Sequence, residues 1–208
     1  PGHEFSAWVW DERAEEFGLK KGQLVAVEPS LFCRQCEYCH RGLPHLCRNL
    51  RFRGSPPNPG PMTEFVTARR ESIIPIPEGF DADDAAFLEP IGIGIHALKK
   101  ANLQIADSVA ILGCGPIGLV LLQLARAHGA GKIYCADPLE YRAKKALELG
   151  ADQVGSSYKD IVEMTNGHGV DLSIDATTCP DAMAETIAMV RPAGRIVLVG
   201  IPTGVNYN

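Results

Sequence analysis

The sequence has no apolar run approaching the roughly 18 residues that a membrane-spanning helix requires, so no such helix is expected within it. It has no cluster of Lys and Arg either. Its 20 basic residues are scattered among 25 acidic ones, and a net charge of -5 argues against a nucleic-acid surface. Internal repeats and low-complexity tracts are lacking. There is no initiator Met and no signal-like leader. The chain opens on the polar motif Pro1-Gly2-His3-Glu4, so a piece of a longer, cytosolic protein is expected. With 46% hydrophobic and 22% charged residues among 208, one or two globular cores can form.

Cysteine is distributed unevenly. Cys33, Cys36, Cys39 and Cys47 crowd one stretch, whereas Cys114, Cys135 and Cys179 stand alone in apolar surroundings and read as small packed side chains. Residues 1 to about 82 are rich in short β-type runs: Gln23 to Pro29, Thr63 to Ala68 and Ser72 to Ile76. Between them, Gly54 to Pro61 holds four prolines and two glycines in eight residues, which excludes regular structure and predicts an ordered loop or a flap.

From Asp83 the pattern changes to alternating helix and strand, the mark of a parallel sheet covered on both faces. Helices are predicted at Asp84 to Lys100, Pro116 to His128, Glu140 to Leu149, Tyr158 to Thr165 and Asp181 to Val190. Strands are predicted at Ser108 to Leu112, Lys132 to Ala136, Gln153 to Val154, Leu172 to Asp175 and Arg195 to Val199. The fold class is α/β, with a partial β-rich lobe over 1–82 and a partial doubly wound parallel sheet over 83–208, one helix and strand short of six strands.

The first of these strands runs into Gly113-Cys-Gly115-Pro116-Ile117-Gly118 and then an apolar helix. Gly113 suits a tight turn, Gly115 lets a pyrophosphate approach the backbone, and Gly118 lets the helix pack on the strand with its N-terminus toward the phosphates. The alternative is a glycine-rich turn of an unrelated βαβ unit. Asp137, 19 residues after Gly118 at the end of the next strand, favours the dinucleotide reading, because an acid there binds ribose hydroxyls. Its charge favours NAD over NADP, and Arg142, one turn further on, partly offsets that preference.

The four clustered cysteines offer four thiolates in fifteen residues, enough for a closed, structural zinc site. A pair of disulfides or an iron-sulfur cluster are the alternatives, the first disfavoured by a cytosolic setting and the second by the spacing. His40 and His45 read as surface residues. His96, on an apolar helix face, reads as a packed core histidine.

With these pieces in order, the chain resembles the medium-chain, zinc-containing alcohol dehydrogenases over essentially its whole length. Gly2-His3-Glu4 matches the family's Gly-His-Glu motif, Gly22 to Pro29 its Gly-Asp-x-Val-x-x-x-Pro strand, and the cysteine lobe and GCGPIG follow at the expected intervals. Cys33-Arg-Gln-Cys-Glu-Tyr-Cys, Phe52 to Pro57, and Leu88-Glu89-Pro90 through His96 look closest to the sorbitol and xylitol dehydrogenase branch. The resemblance implies a GroES-like catalytic lobe beside a Rossmann lobe. It implies a catalytic zinc held by His3 and Glu4 with Glu89 coordinating or holding its water, and hydride transfer from a secondary alcohol to NAD. It also implies a homo-oligomer acting on a small-molecule alcohol. Taken alone, a His-Glu pair is a polar turn and Glu89 a helix-end charge.

The family's catalytic cysteine belongs upstream of Gly2, and no residue here replaces it, so the segment by itself is expected to be inactive. Ala7, Glu12-Arg13 and Gln23 depart from the family pattern, and disturbed first strands are expected there. L-Threonine 3-dehydrogenase and simple alcohol dehydrogenases share most of the same motifs. A catalytically silent zinc- and NAD-binding module is the alternative of another class.

Overall fold

In the computed structural model, which describes residues 1–202, β1 (Ser6–Trp8) pairs antiparallel with β2 (Leu24–Val27), bringing Ser6 opposite Ala26 and Trp8 opposite Leu24. The departures at Ala7 and Glu12-Arg13 leave this ladder intact. Glu12–Phe17 winds into a 3-10 helix whose start is capped by the Asp11 side chain on the Arg13 N–H, and Gly18 ends it at φ 73°. Such a short helix can stand in for a turn because its two ends satisfy their own backbone groups. The ribbon β3 (Ser30–Leu31) with β4 (Arg51–Phe52) brackets the cysteine segment, and β5 (Ile73–Pro75) completes the order β1-β2-β5. Leu19, Val25 and Val27 are buried here, with Phe5, Ala7 and Ile73 packed against them.

Thr63 to Ala68 does not form the expected strand. The Thr63 N–H donates to Pro61 O (2.7 Å) and its hydroxyl to Phe65 O (2.7 Å). These local bonds divert the backbone from any ladder, as hydroxyl side chains bonded to nearby backbone do. Helix α2 (Ala82–Ala101) starts two residues before the expected point. Its start is set by a reciprocal pair, Asp84 N–H on Asp81 Oδ1 (2.9 Å) and Asp81 N–H on Asp84 Oδ2 (3.2 Å), an aspartate form of the capping box. The chain divides inside this helix into two compact units, Pro1–Glu89 and Pro90–Asn208.

In the second unit the strands β6 (Val109–Leu112), β7 (Ile133–Ala136), β8 (Gln153–Gly155), β9 (Val170–Asp175) and β10 (Val190–Leu198) form a parallel sheet in the order β10-β9-β6-β7-β8. They alternate with α3 (Pro116–Ala127), α4 (Glu140–Glu148), α5 (Tyr158–Met164) and α6 (Ala182–Met189). The central strands are buried on both faces: Val109, Ile111, Ile133, Leu172 and Ile174 in one cluster, and Ala110, Ala136 and Val170 in the other. This two-sided burial is why they read as unbroken apolar runs. β10 begins earlier than expected, at Val190, with a register shift between Val190 and Arg195. The sequence order reverses between β6 and β9, so a crevice opens at the carboxyl ends of these strands, next to the glycine turn.

At the opposite end of the sheet, Asp171 Oδ2 accepts the Ser108 N–H (2.8 Å) and hydroxyl (2.6 Å), and Oδ1 accepts Arg191 Nε (2.7 Å). These bonds, the Ser108 hydroxyl foremost, hold the Asp171 carboxyl at about 2, below its ordinary 3.8. A lowered folded-state value stabilises the fold above the unfolded value and is lost as pH falls through the folded one. Asp171→Asn is therefore expected to cost about 2 kcal/mol at neutral pH, with the difference from the parent fading between about pH 4 and 2. Denaturant unfolding at the two ends of that range measures it, and a deficit that stays constant with pH would contradict the assignment.

Candidate metal centre and dinucleotide turn

His3 and Glu4 lie just before β1, entered through Gly2 at φ 89°, and Glu89 lies at the end of the first unit on α2. Each offers one ligand atom, and the three atoms lie within 4.8 Å of one another. His3 and Glu89 are half-buried and Glu4 is exposed. The His3 imidazole meets the Phe52 ring edge-on, with centroids 5.0 Å apart and an interplanar angle of 73°.

Burial is the main influence raising the Glu89 carboxyl above its ordinary range; the nearby His3 opposes the rise, while the charges of Glu4 and Glu28 add to it. Carboxylates converging on a half-buried position gain most from a divalent cation. One imidazole and two carboxylate oxygens also form a donor set that zinc accepts while keeping a further position open. The residues present therefore fit a catalytic zinc.

The second cluster is built from short local elements. Cys36 precedes the single turn α1 (Glu37–His40), Cys39 sits on it, and Cys47 ends the 3-10 turn Pro44–Leu46. All four thiols are free and their ligand atoms lie within 4.8 Å of one another. Cys36 Sγ donates to Cys39 Sγ (3.6 Å), and Cys47 Sγ accepts the Cys33 N–H (3.2 Å). The Gln35 N–H does most to lower the Cys33 thiol to about 6, while desolvation pushes Cys39 up to about 12. Backbone N–H groups aimed at sulfur favour thiolate, the form that binds metal. Four sulfurs leave no place for water, so this set suits a structural zinc.

In the second unit, Gly113 turns at φ 94°, where a Cβ would lie 2.8 Å from the Thr177 side chain. At Gly118 a Cβ would lie 1.9 Å from Gly113 O, whereas at Gly115 it would meet nothing within 4 Å. Gly115 caps α3, and Pro116 opens it. Regular helical bonding starts with the Leu119 N–H on Gly115 O (2.9 Å), so the N–H groups of Ile117 and Gly118 have no carbonyl one turn back. This is the geometry of an anion site. Asp137, only 4% exposed, accepts the Cys114 N–H at Oδ2 (2.9 Å) and the Leu139 N–H at Oδ1 (2.9 Å), and Arg142 Nη1 stands 3.8 Å from Oδ2. The acid thus braces the turn.

Other singled-out residues fall as follows. His40 and His45 are exposed, as read, and Cys114 and Cys135 are buried. His96 is exposed, because the apolar residues of its helix stretch are themselves partly outward, with Ile93 at 42% and Ile95 at 54% exposure. Cys179 is likewise exposed, since it falls in the loop between β9 and α6 and not on either element. Sequence reasoning gave no site role to Phe52, whose contact with His3 joins segments 49 residues apart, or to Asp175. The latter is buried at the end of β9, with Oδ1 accepting the Thr177 N–H (2.8 Å). A lone acid ending a buried strand was the available signal.

The antiparallel lobe carries two groups of residues that could hold a metal, and the parallel sheet carries a glycine turn at the start of α3. The Alcohol dehydrogenase GroES-like domain family matches residues 1–78, and the Zinc-binding dehydrogenase family matches residues 116–206. The chain is 32% identical over 207 residues to sorbitol dehydrogenase of Bacillus subtilis, covering 97% of this chain and 59% of that protein. It is 34% identical over 209 residues to L-idonate 5-dehydrogenase of Vitis vinifera, covering 96% and 57%. Among solved structures, a zinc-binding dehydrogenase of Sinorhizobium meliloti bound to NADP superposes with a TM-score of 0.91 at 28% identity, over all of this chain and 63% of that one. Galactitol-1-phosphate dehydrogenase of Escherichia coli gives 0.87 at 27% identity, over 100% and 61%. The chain belongs to the zinc-containing medium-chain dehydrogenase family. It spans less than two thirds of the length of these relatives. Zinc is named in the description of the matching family, and the Sinorhizobium meliloti structure holds NADP. No helix among the described residues is long and apolar enough to cross a membrane.

Proposed function

We propose that this chain carries the metal and dinucleotide sites of a zinc-dependent, NAD-linked dehydrogenase that oxidises a secondary hydroxyl of a polyol. The observation behind this reading is the convergence of His3, Glu4 and Glu89 within 4.8 Å, in a chain whose other unit holds a glycine turn braced by a buried acid. Zinc, when bound, supplies Lewis-acid polarisation of the alcohol, and NAD accepts the hydride. His3 contributes the nitrogen donor, and Glu4 and Glu89 contribute the oxygens. The N–H groups of Ile117 and Gly118 would take the pyrophosphate. Asp137 would face the adenosine ribose and repel a 2′-phosphate, with Arg142 reducing that repulsion without cancelling it. The sorbitol and idonate dehydrogenases among the relatives support a polyhydroxy substrate. The whole protein would work in the cytosol, where the four thiols stay reduced, as a homo-oligomer.

In the whole protein, NAD-linked oxidation of sorbitol or xylitol is expected, with NAD bound about tenfold or more tighter than NADP. His3→Ala should abolish oxidation and leave NAD binding unchanged by calorimetry. Equal rates with ethanol would refute the polyol assignment, and a fully active His3→Ala variant would refute the metal site.

A further inference from the structure

β4 and the loop after it approach the segment Pro1 to Glu4 at three points. Phe52 stands edge-on to the His3 imidazole at 5.0 Å. Gly54, at φ 79°, passes so close that a Cβ there would lie 1.5 Å from Gly2 O, and a Cβ at Gly60 would lie 2.3 Å from Pro1 O. The loop is itself braced. Gly54 N–H donates to Pro59 O (3.0 Å), Asn58 N–H to Ser55 O (2.9 Å) and Arg53 N–H to Pro29 O (3.0 Å), beside the ladder that pairs Phe52 with Ser30. Phe52 is thus fixed by the backbone that continues from β2, the same strand against which β1 sets the path of His3 and Glu4.

An imidazole needs such a neighbour, because rotation about its second side-chain torsion is broad and a rotamer alone does not fix its ring plane. A ring left free must be ordered when metal binds, which weakens the site. We propose that Phe52 and Gly54 are positioning residues for the metal-binding pair His3 and Glu4. Phe52 sets the plane of the imidazole, and Gly54 sets the backbone path from which both ligand side chains start. The inference rests on the reading of His3, Glu4 and Glu89 as a metal site.

Cobalt(II) titration followed by visible absorption tests it. The four-thiolate set gives intense sulfur-to-metal charge-transfer bands that a nitrogen and oxygen site lacks, so each variant carries its own folding reference. Phe52→Ala is expected to weaken cobalt at the nitrogen and oxygen site about tenfold or more, as loss of an orienting neighbour does. Gly54→Ala should weaken it too, Phe52→Tyr should restore parent affinity, and the charge-transfer bands should not change. Unchanged affinity in both Phe52→Ala and Gly54→Ala would overturn the inference alone. A parent that takes up only thiolate-bound cobalt would overturn the metal reading and the inference with it. Variants that lose the charge-transfer bands as well would show a general effect on the unit, which also overturns it.

Discussion

Replacing Cys36 and Cys39 together by Ser is expected to remove one zinc per chain and to unfold the segment from Cys33 to Leu50. This segment has almost no core: Cys47 is its one buried residue, while Leu46 and Leu50 are 50% and 41% exposed. Its regular structure amounts to the four residues of α1 and one 3-10 turn. Isolated turns of that length do not hold in water. Its ion pair between Arg48 and Glu37 is solvent-exposed, and such pairs add little to stability. Zinc in small cysteine-rich units contributes roughly 10 to 16 kcal/mol of apparent binding free energy, far more than any other contact here. Elemental analysis should show the lost equivalent, and hydrogen exchange should show lost protection confined to residues 33–50. Retention of full zinc would show that the thiols do not hold it. Unchanged protection after zinc loss would show that the segment folds by contacts other than the metal.

The second unit was legible in the sequence almost residue by residue, for a physical reason. Strands such as Val109–Leu112 and Ile133–Ala136 are buried on both faces, so each appears as a bounded apolar run, and glycine marks the turn that follows β6. The first unit was less legible. β3 and β4 have two residues each, too few to display a period, and the β-branched composition of Thr63 to Ala68 promised a strand that the Thr63 side chain turns aside. The four cysteines could be read by spacing, since their ligands come from one short stretch. His3 and Glu4 stand 85 residues or more from Glu89, and no spacing rule joins them. Family resemblance put the three in one set, and the fold brings their ligand atoms together. The contact between Phe52 and His3 depends wholly on strand pairing and left no trace in the pattern.

Two alanine substitutions in the glycine turn should separate folding from dinucleotide binding. At Gly118 a methyl group would lie 1.9 Å from Gly113 O and 3.0 Å from Gly113 C, both backbone atoms that cannot swing away. Gly113 in turn is held by its N–H on Ala136 O (2.8 Å), and Thr177 crowds its other side. Gly118→Ala must therefore push α3 off β6. Overpacking of this kind costs about 1 to 3 kcal/mol, and the turn it distorts should lose roughly 10- to 100-fold in NAD affinity. At Gly115 the φ of -72° is open to any residue and a Cβ meets nothing within 4 Å, so Gly115→Ala should unfold at the same denaturant concentration as the parent. That vacant space lies where the backbone must let a pyrophosphate approach the start of α3, and a methyl group there should abolish NAD binding by calorimetry. Parent-like NAD affinity in Gly115→Ala would mean that the dinucleotide does not cross this turn, whatever the fate of Gly118→Ala. Loss of stability in both variants would mean that the turn's glycines serve packing alone.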